Sequence, residues 1–298
     1  MIPKPKGPNT WYISAKPHFA LLNTHDNPLP DPYRNPFIEM ADTPGFSANM
    51  TEETLIASAR LHNQFPPDTA FPQIEQLSDG LEELCAIIAK YNAQSHFRLR
   101  LLHRHMTIPE GQIMLGTRIT KPLGFWTRPT RISDIDLRKI YGHIFSVDAA
   151  RYTSEGEMRN ALLFPSEFRE GPPVSFGNID GNFFTEFTDC LRTKGLENVF
   201  GLEVVQDQLG KMIEFSFDIG SLLLKEEEVN AEVRGEGKGQ FELQETGWSV
   251  MIEDETVYKT GETRCATFAT GHVKVTDSKA KGVLDVVKIL RDDGVLAT

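Results

Sequence analysis

The chain has 298 residues, 40% hydrophobic and 24% charged, which allows a sizeable core and does not fit wholesale disorder. Its formal net charge is -11, from 31 basic and 42 acidic side chains. That balance argues against nucleic acid or an anionic membrane as the main partner, because both attract a net or clustered positive surface.

The cysteines, Cys85, Cys190 and Cys265, are sparse and far apart. Such a set builds no disulfide framework, so a reducing compartment is expected. The early apolar run Phe19–Leu22 is too short for a signal-peptide core, and no run reaches the length of a transmembrane helix. The expectation is a soluble cytoplasmic protein.

Residues 1–50 carry much of the proline, together with Trp11, Tyr12, Phe19, Tyr33, Phe37 and Phe46. Proline fixes φ and removes donors, so an extended arm is expected, packed on the body through its aromatics. Thr51 is placed to cap a helix to about Gln64, and Pro66-Pro67 ends it. Asp79 and Glu82 form a capping pair for a second helix to about Ala93, with Leu81, Leu84, Cys85 and Ile88 on one stripe.

Residues 97–117 read as a hairpin turned at Pro109-Glu110-Gly111. Gly124–Pro129 reads as a turn, Asp134–Lys139 as a short helix and Tyr141–Val147 as a strand. Residues 150–181 form a long connection rich in glycine and proline. Asn182–Lys194 reads as a helix stopped by Gly195.

Val199–Val205 and Met212–Ile219 read as a second hairpin. Ile213, Phe215, Phe217 and Ile219 form its apolar face, and Met212, Glu214, Ser216 and Asp218 its wet one. Glu232–Arg234 with Gln240–Gln244, and then Trp248–Glu253, read as further strands, and Glu262–Val275 is expected to add another. Val283–Asp292 is a closing helix with Val283, Val286, Val287 and Leu290 buried. Hairpins imply antiparallel pairing, so the expected class is α+β: a hairpin-rich antiparallel sheet with a few packed helices, forming one domain over 51–298 behind the arm.

The chemistry concentrates at His103 and His105. Alternation along Phe97, Leu99 and Leu101 would place both imidazoles on the apolar face of one strand, within reach of one metal ion. His103-x-His105, four residues, then Glu110, with Gly116 beyond, resembles the first metal-binding motif of cupin barrels. Phe97 stands where that motif opens on glycine, and no matching second motif follows. The resemblance implies a divalent metal held by His103, His105 and Glu110, with His272 a fourth candidate.

Arg98, Arg100 and Arg104 share the other face and could bind a carboxylate or phosphate, or simply pair with surface acids. Gly235–Gly239 lacks the following helix that a phosphate loop needs. Nothing in the sequence brings Cys265 to His272 as a nucleophile and its base, and Asp134 with Asp136 fits helix capping.

Two functions remain. One is an intracellular enzyme acting on a small molecule, with His103, His105 and Arg98 as catalytic candidates in a histidine pocket doing general-base or metal-assisted chemistry. The other is a non-catalytic protein that binds a partner through the arm and the 150–181 connection. Convergence of the histidines with further polar groups in one concavity favours the first. An open apolar patch favours the second.

Overall fold

A computed structural model describes residues 50–67, 74–148, 163–174, 176, 179–206, 209–231, 241–253, 256–268, 273–274, 276 and 280–296. The proline-rich arm, much of the 150–181 connection, the glycine-rich 235–239 stretch and His272 lie outside the described residues.

Four α-helices are described: α1 (Glu52–His62), α2 (Ser78–Lys90), α3 (Gly181–Thr193) and α4 (Val283–Asp292). The strands are β1 (Phe97–Leu101), β2 (Gln112–Thr120), β3 (Leu123–Arg131), β4 (Ile140–Val147), β5 (Leu163–Glu170) and β6 (Phe200–Val204). They continue with β7 (Met212–Phe217), β8 (Gly220–Lys225), β9 (Phe241–Glu253), β10 (Thr256–Phe268) and the short β11 (Val273–Lys274).

The first ten strands close into a barrel in the order β1-β6-β4-β5-β2-β3-β8-β7-β10-β9, which returns to β1. Within the ring, β2 with β5 and β7 with β10 run parallel, and the other pairings are antiparallel. This corrects the expected α+β antiparallel sheet. Several strands were legible one by one, but β3 covers a stretch expected to be a turn and β5 lies inside the 150–181 stretch expected to be a connection. Closure, moreover, depends on two parallel pairings between segments far apart in sequence, which leave no local trace.

The expected hairpins fail for the same reason. β1 pairs with β6 and β9, not with β2. β6 and β7 do not pair with each other; β7 pairs with β8 and β10. The Pro109–Gly111 turn does form: Gln112 N donates to Pro109 O at 3.2 Å, and Gly111 takes φ 71. It simply does not close a ladder. Gly124–Pro129 is a stretch of β3, and Asp134–Lys139 is two short 3-10 turns separated by extended residues.

The helices match their sequence signals more closely. Thr51 caps α1, its Oγ1 accepting from Thr54 N at 3.2 Å. Gly195 takes φ 66 beyond α3. The second helix departs in one detail: it starts at Ser78 without a side-chain cap, so Asp79 and Glu82 do not act as a capping pair.

The helices coat the outside of the barrel. Phe97, Leu99 and Leu101 point outward into a core with Leu81, Leu84 and Ile88 of α2 and Phe183, Phe187 and Leu191 of α3. The Phe97 ring stacks on Phe183 at 5.6 Å. α4 covers a second patch built from Ile213, Phe215, Phe217, Leu222 and Leu224. Leu55 of α1 packs on Ile113, Leu115 and Phe168.

Alternation therefore turns the other face of the strands inward, and that face mixes polar residues such as Arg100, Arg169, Glu214 and Ser216 with a small apolar cluster of Phe125, Met212 and Leu223. The face of β7 that reads as wet is the barrel lumen, and all six residues of β7 are buried. A barrel of this size encloses a lumen lined by those inward side chains.

Candidate metal centre

β1 ends at Leu101, and strand alternation stops there. Leu102 N still donates to Val199 O at 2.8 Å, but Arg104 N turns to Pro66 O at 3.0 Å in an isolated bridge. Arg104 Nε also donates to Phe65 O at 3.0 Å. This crossing rolls His103 and His105 into the barrel mouth. They do not share the outward face of Phe97, Leu99 and Leu101, as strict alternation would require. The two histidines do meet, however, with ring centroids 4.6 Å apart and planes at 87°.

Four potential ligand atoms gather there. His103 Nε2 lies 3.1 Å from His105 Nε2. His105 Nε2 lies 3.5 Å from Glu214 Oε1 and 3.7 Å from Cys265 Sγ. All four atoms are within 4.8 Å of one another. β7 supplies Glu214 and β10 supplies Cys265, and the two residues stand opposite each other in the parallel β7–β10 pair. The pairing that closes the barrel thus also brings the carboxylate to the thiol.

His103 Nδ1 lies 3.0 Å from Leu101 O. A carbonyl only accepts, so this contact places the proton on Nδ1 and leaves the Nε2 lone pair facing the cluster. Burial, then the neighbouring His105, holds His103 well below its usual pKa, so it is neutral. Burial pushes the Cys265 thiol up, with His105 opposing. Burial also opposes ionisation of Glu214, but Arg100 and the two histidines outweigh it and hold the carboxyl well below its usual range.

Arg100 orients the carboxylate. Its Nη2 donates to Glu214 Oε2 at 2.6 Å, leaving Oε1 toward His105. β1 and β7 are not neighbours in the ring, so this bond crosses the lumen. Arg100 Nη1 lies 3.9 Å from Glu203 Oε2, and Glu203 Oε1 lies 3.6 Å from His143 Nε2. A chain of charge thus runs from the cluster deeper into the barrel. Phe65, Leu102, Ile144 and Glu167 complete the wall around the histidines, and the space left is about 10 Å³. That is on the order of one water molecule, enough for a single ion.

The other sequence candidates are placed elsewhere. Glu110 is exposed on its turn, outside the cluster. The carboxylate at the histidines is Glu214 instead. Arg98 is half-buried on the inner face of β1, opposite Glu203 in register. The inward arginine at the cluster is Arg100. Cys265 does reach a histidine, but it is His105. Glu214 and Cys265 carried no local signal beyond an inward position on alternating strands.

No family model matches the chain, and no curated protein or solved structure matches it significantly. Among the described residues, no helix is long and apolar enough to cross a membrane.

Proposed function

We propose that this protein is a metal-dependent enzyme acting on a small molecule, with a divalent ion, zinc first, bound by His103, His105, Glu214 and Cys265. The observation that carries the reading is the convergence of three other donor atoms on His105 Nε2, at 3.1, 3.5 and 3.7 Å. A tetrahedral zinc ion, with bonds of about 2.0–2.1 Å to nitrogen and about 2.3 Å to sulfur, sets ligand–ligand edges of about 3.3–3.6 Å. The three distances at His105 Nε2 lie close to those edges, the remaining ones are at most 4.8 Å, and two imidazoles, a thiolate and a carboxylate are a zinc-type set.

A cysteine–histidine–glutamate triad fits less well. A triad needs the thiol on one ring nitrogen and the carboxylate on the other. Here Glu214 and Cys265 both approach Nε2 of His105.

Four protein ligands close a tetrahedron, whereas catalysis needs an open position. Glu214 is the ligand suited to yield, because its carboxylate already has a second partner in Arg100. Moving toward Arg100 would free one position beside Phe65 and Glu167. An ion there would lower the pKa of a bound water and polarise a substrate oxygen.

The binding-protein alternative has less support. The exposed large hydrophobics among the described residues, Ile56, Met251, Ile252 and Leu284, are spread over α1, β9 and α4.

Elemental analysis of protein purified without chelator tests the reading. About one equivalent of metal is expected, and the combined His103→Ala and His105→Ala variant should hold none while remaining folded. Affinity should rise with pH, about tenfold per unit for each proton released, because the buried Cys265 thiol must ionise to bind. A wild-type protein that takes up no zinc from solution would refute the reading.

A further inference from the structure

A second constellation lines the barrel lumen. Arg169 of β5 stands opposite Gly116 of β2 in register. Gly116 stands opposite Thr127 of β3, Thr127 opposite Ser221 of β8, and Ser221 opposite Ser216 of β7. Register partners on neighbouring strands face the same side, so these residues form one belt around the lumen. Ser216 shares the inner face of β7 with Glu214, two residues away, which is roughly 7 Å along a strand.

We propose that this belt binds the carboxylate of a small organic acid, with Arg169 as its anchor and the belt hydroxyls completing its hydrogen bonds. The inference deepens the metal-dependent reading by naming a substrate class. It rests on that reading only for the step from ligand to substrate.

Two observations point to a ligand. The first is the set of orphaned polar atoms. Arg169 Nε, Ser216 Oγ and Ser221 Oγ are buried without a hydrogen-bond partner. Arg169 is 7% exposed, Ser216 0% and Ser221 2%. Such groups are costly unless something other than protein satisfies them. The bare Gly116 makes room for the arrangement: a Cβ there would meet Arg169 Cγ at 3.2 Å and Thr127 Oγ1 at 3.1 Å. The guanidinium reaches across that gap, its central carbon 3.7 Å from the centre of the Phe125 ring, and a guanidinium is suited to a planar, bidentate partner.

The second is charge. The fully buried arginines Arg100 and Arg169 are matched by the buried Glu203 and Glu214. Both glutamates are engaged by Arg100, with His143 and His105 as their other neighbours. Arg169 hydrogen-bonds Tyr141 but has no ion pair of its own within the described residues. Burial lowers its pKa, and Glu203 and Tyr141 offset only part of that. A divalent ion that takes up the Cys265 thiolate would add about one further positive charge to the lumen. A monoanion held in the lumen would neutralise it.

The test uses the full-length protein, with pyruvate as carboxylate probe, inorganic phosphate as the rival anion, and chloride at equal ionic strength as control. Thermal unfolding is followed against probe concentration, with and without added zinc. Pyruvate should raise the wild-type midpoint saturably where chloride does not.

Arg169→Gln should weaken that protection on the order of tenfold or more, as expected for loss of a bidentate guanidinium contact. Should that variant fail to fold, Ser216→Ala with Ser221→Ala is expected to weaken pyruvate protection instead. Metal content separates the two readings. A wild type that binds no zinc but is protected by pyruvate keeps the belt and loses the metal. Zinc retained in Arg169→Gln with pyruvate protection lost isolates the belt. Protection equal in wild type and Arg169→Gln, or by phosphate alone, would overturn the proposal.

Discussion

Replacing Glu214 with leucine is expected to destabilise the protein by roughly 3–5 kcal/mol, the cost of removing one partner from a buried ion pair. Arg100 is 7% exposed and Glu214 8%. Glu214 Oε2 accepts from Arg100 at 2.6 Å, whereas the remaining carboxylate, Glu203, stands at 3.9 Å and is shared with His143. Without Glu214, Arg100 keeps its desolvation and loses its closest counter-charge. Adding Arg100→Met to Glu214→Leu should recover part of the loss, because an apolar pair of similar volume removes both desolvation costs while leaving the buried Glu203 only His143 as ion-pair neighbour. Urea unfolding of the two variants measures this. A double variant no more stable than the single one would show that the pair is not the stabilising unit.

Leu290→Asp is expected to cost a comparable amount, roughly 3–5 kcal/mol, by loss of apolar burial and by forcing a carboxylate into an apolar site. Leu290 is fully buried where α4 covers the outer faces of β7 and β8. Phe215, Phe217 and Phe268 form that patch and would be exposed if α4 detached. Binding of a hydrophobic dye should rise as the melting temperature falls. An unchanged melting temperature would mean that α4 contributes little to the barrel.

These two sites differ in how far the sequence reveals them. Leu290 was readable because Val286, Val287 and Leu290 recur at helical spacing, and a helix needs only its own residues to make its ladder. Strands with clear alternation, such as β7, were readable for a similar reason, since alternation is local. What alternation cannot say is which face is inside. Ile213, Phe215 and Phe217 look like the face that packs on a core, and they do pack on one, but it lies outside the barrel beneath α4. Glu214 and Ser216 look solvent-facing and instead line the lumen. A barrel sheathed by helices buries both faces of its strands, so the usual equation of polar with exposed fails.

The histidine pair shows the same division. Its chemistry was legible from His-x-His. Its direction was not, because the strand ends before His103, and the crossing at Pro66 and Arg104 turns both rings inward. Glu110 is five positions beyond His105 in sequence and stays in solvent. Glu214 and Cys265 were brought to the histidines by a parallel pairing that no spacing announces.

Cobalt substitution tests the four-ligand centre most directly. Metal-depleted protein is loaded with Co(II), and its absorption spectrum is compared with that of Cys265→Ser. The wild type should give the intense visible bands of tetrahedral cobalt and a near-ultraviolet thiolate-to-cobalt band, and the thiolate band should vanish in Cys265→Ser. A weak octahedral spectrum with no thiolate band in the wild type would contradict a centre built from His103, His105, Glu214 and Cys265.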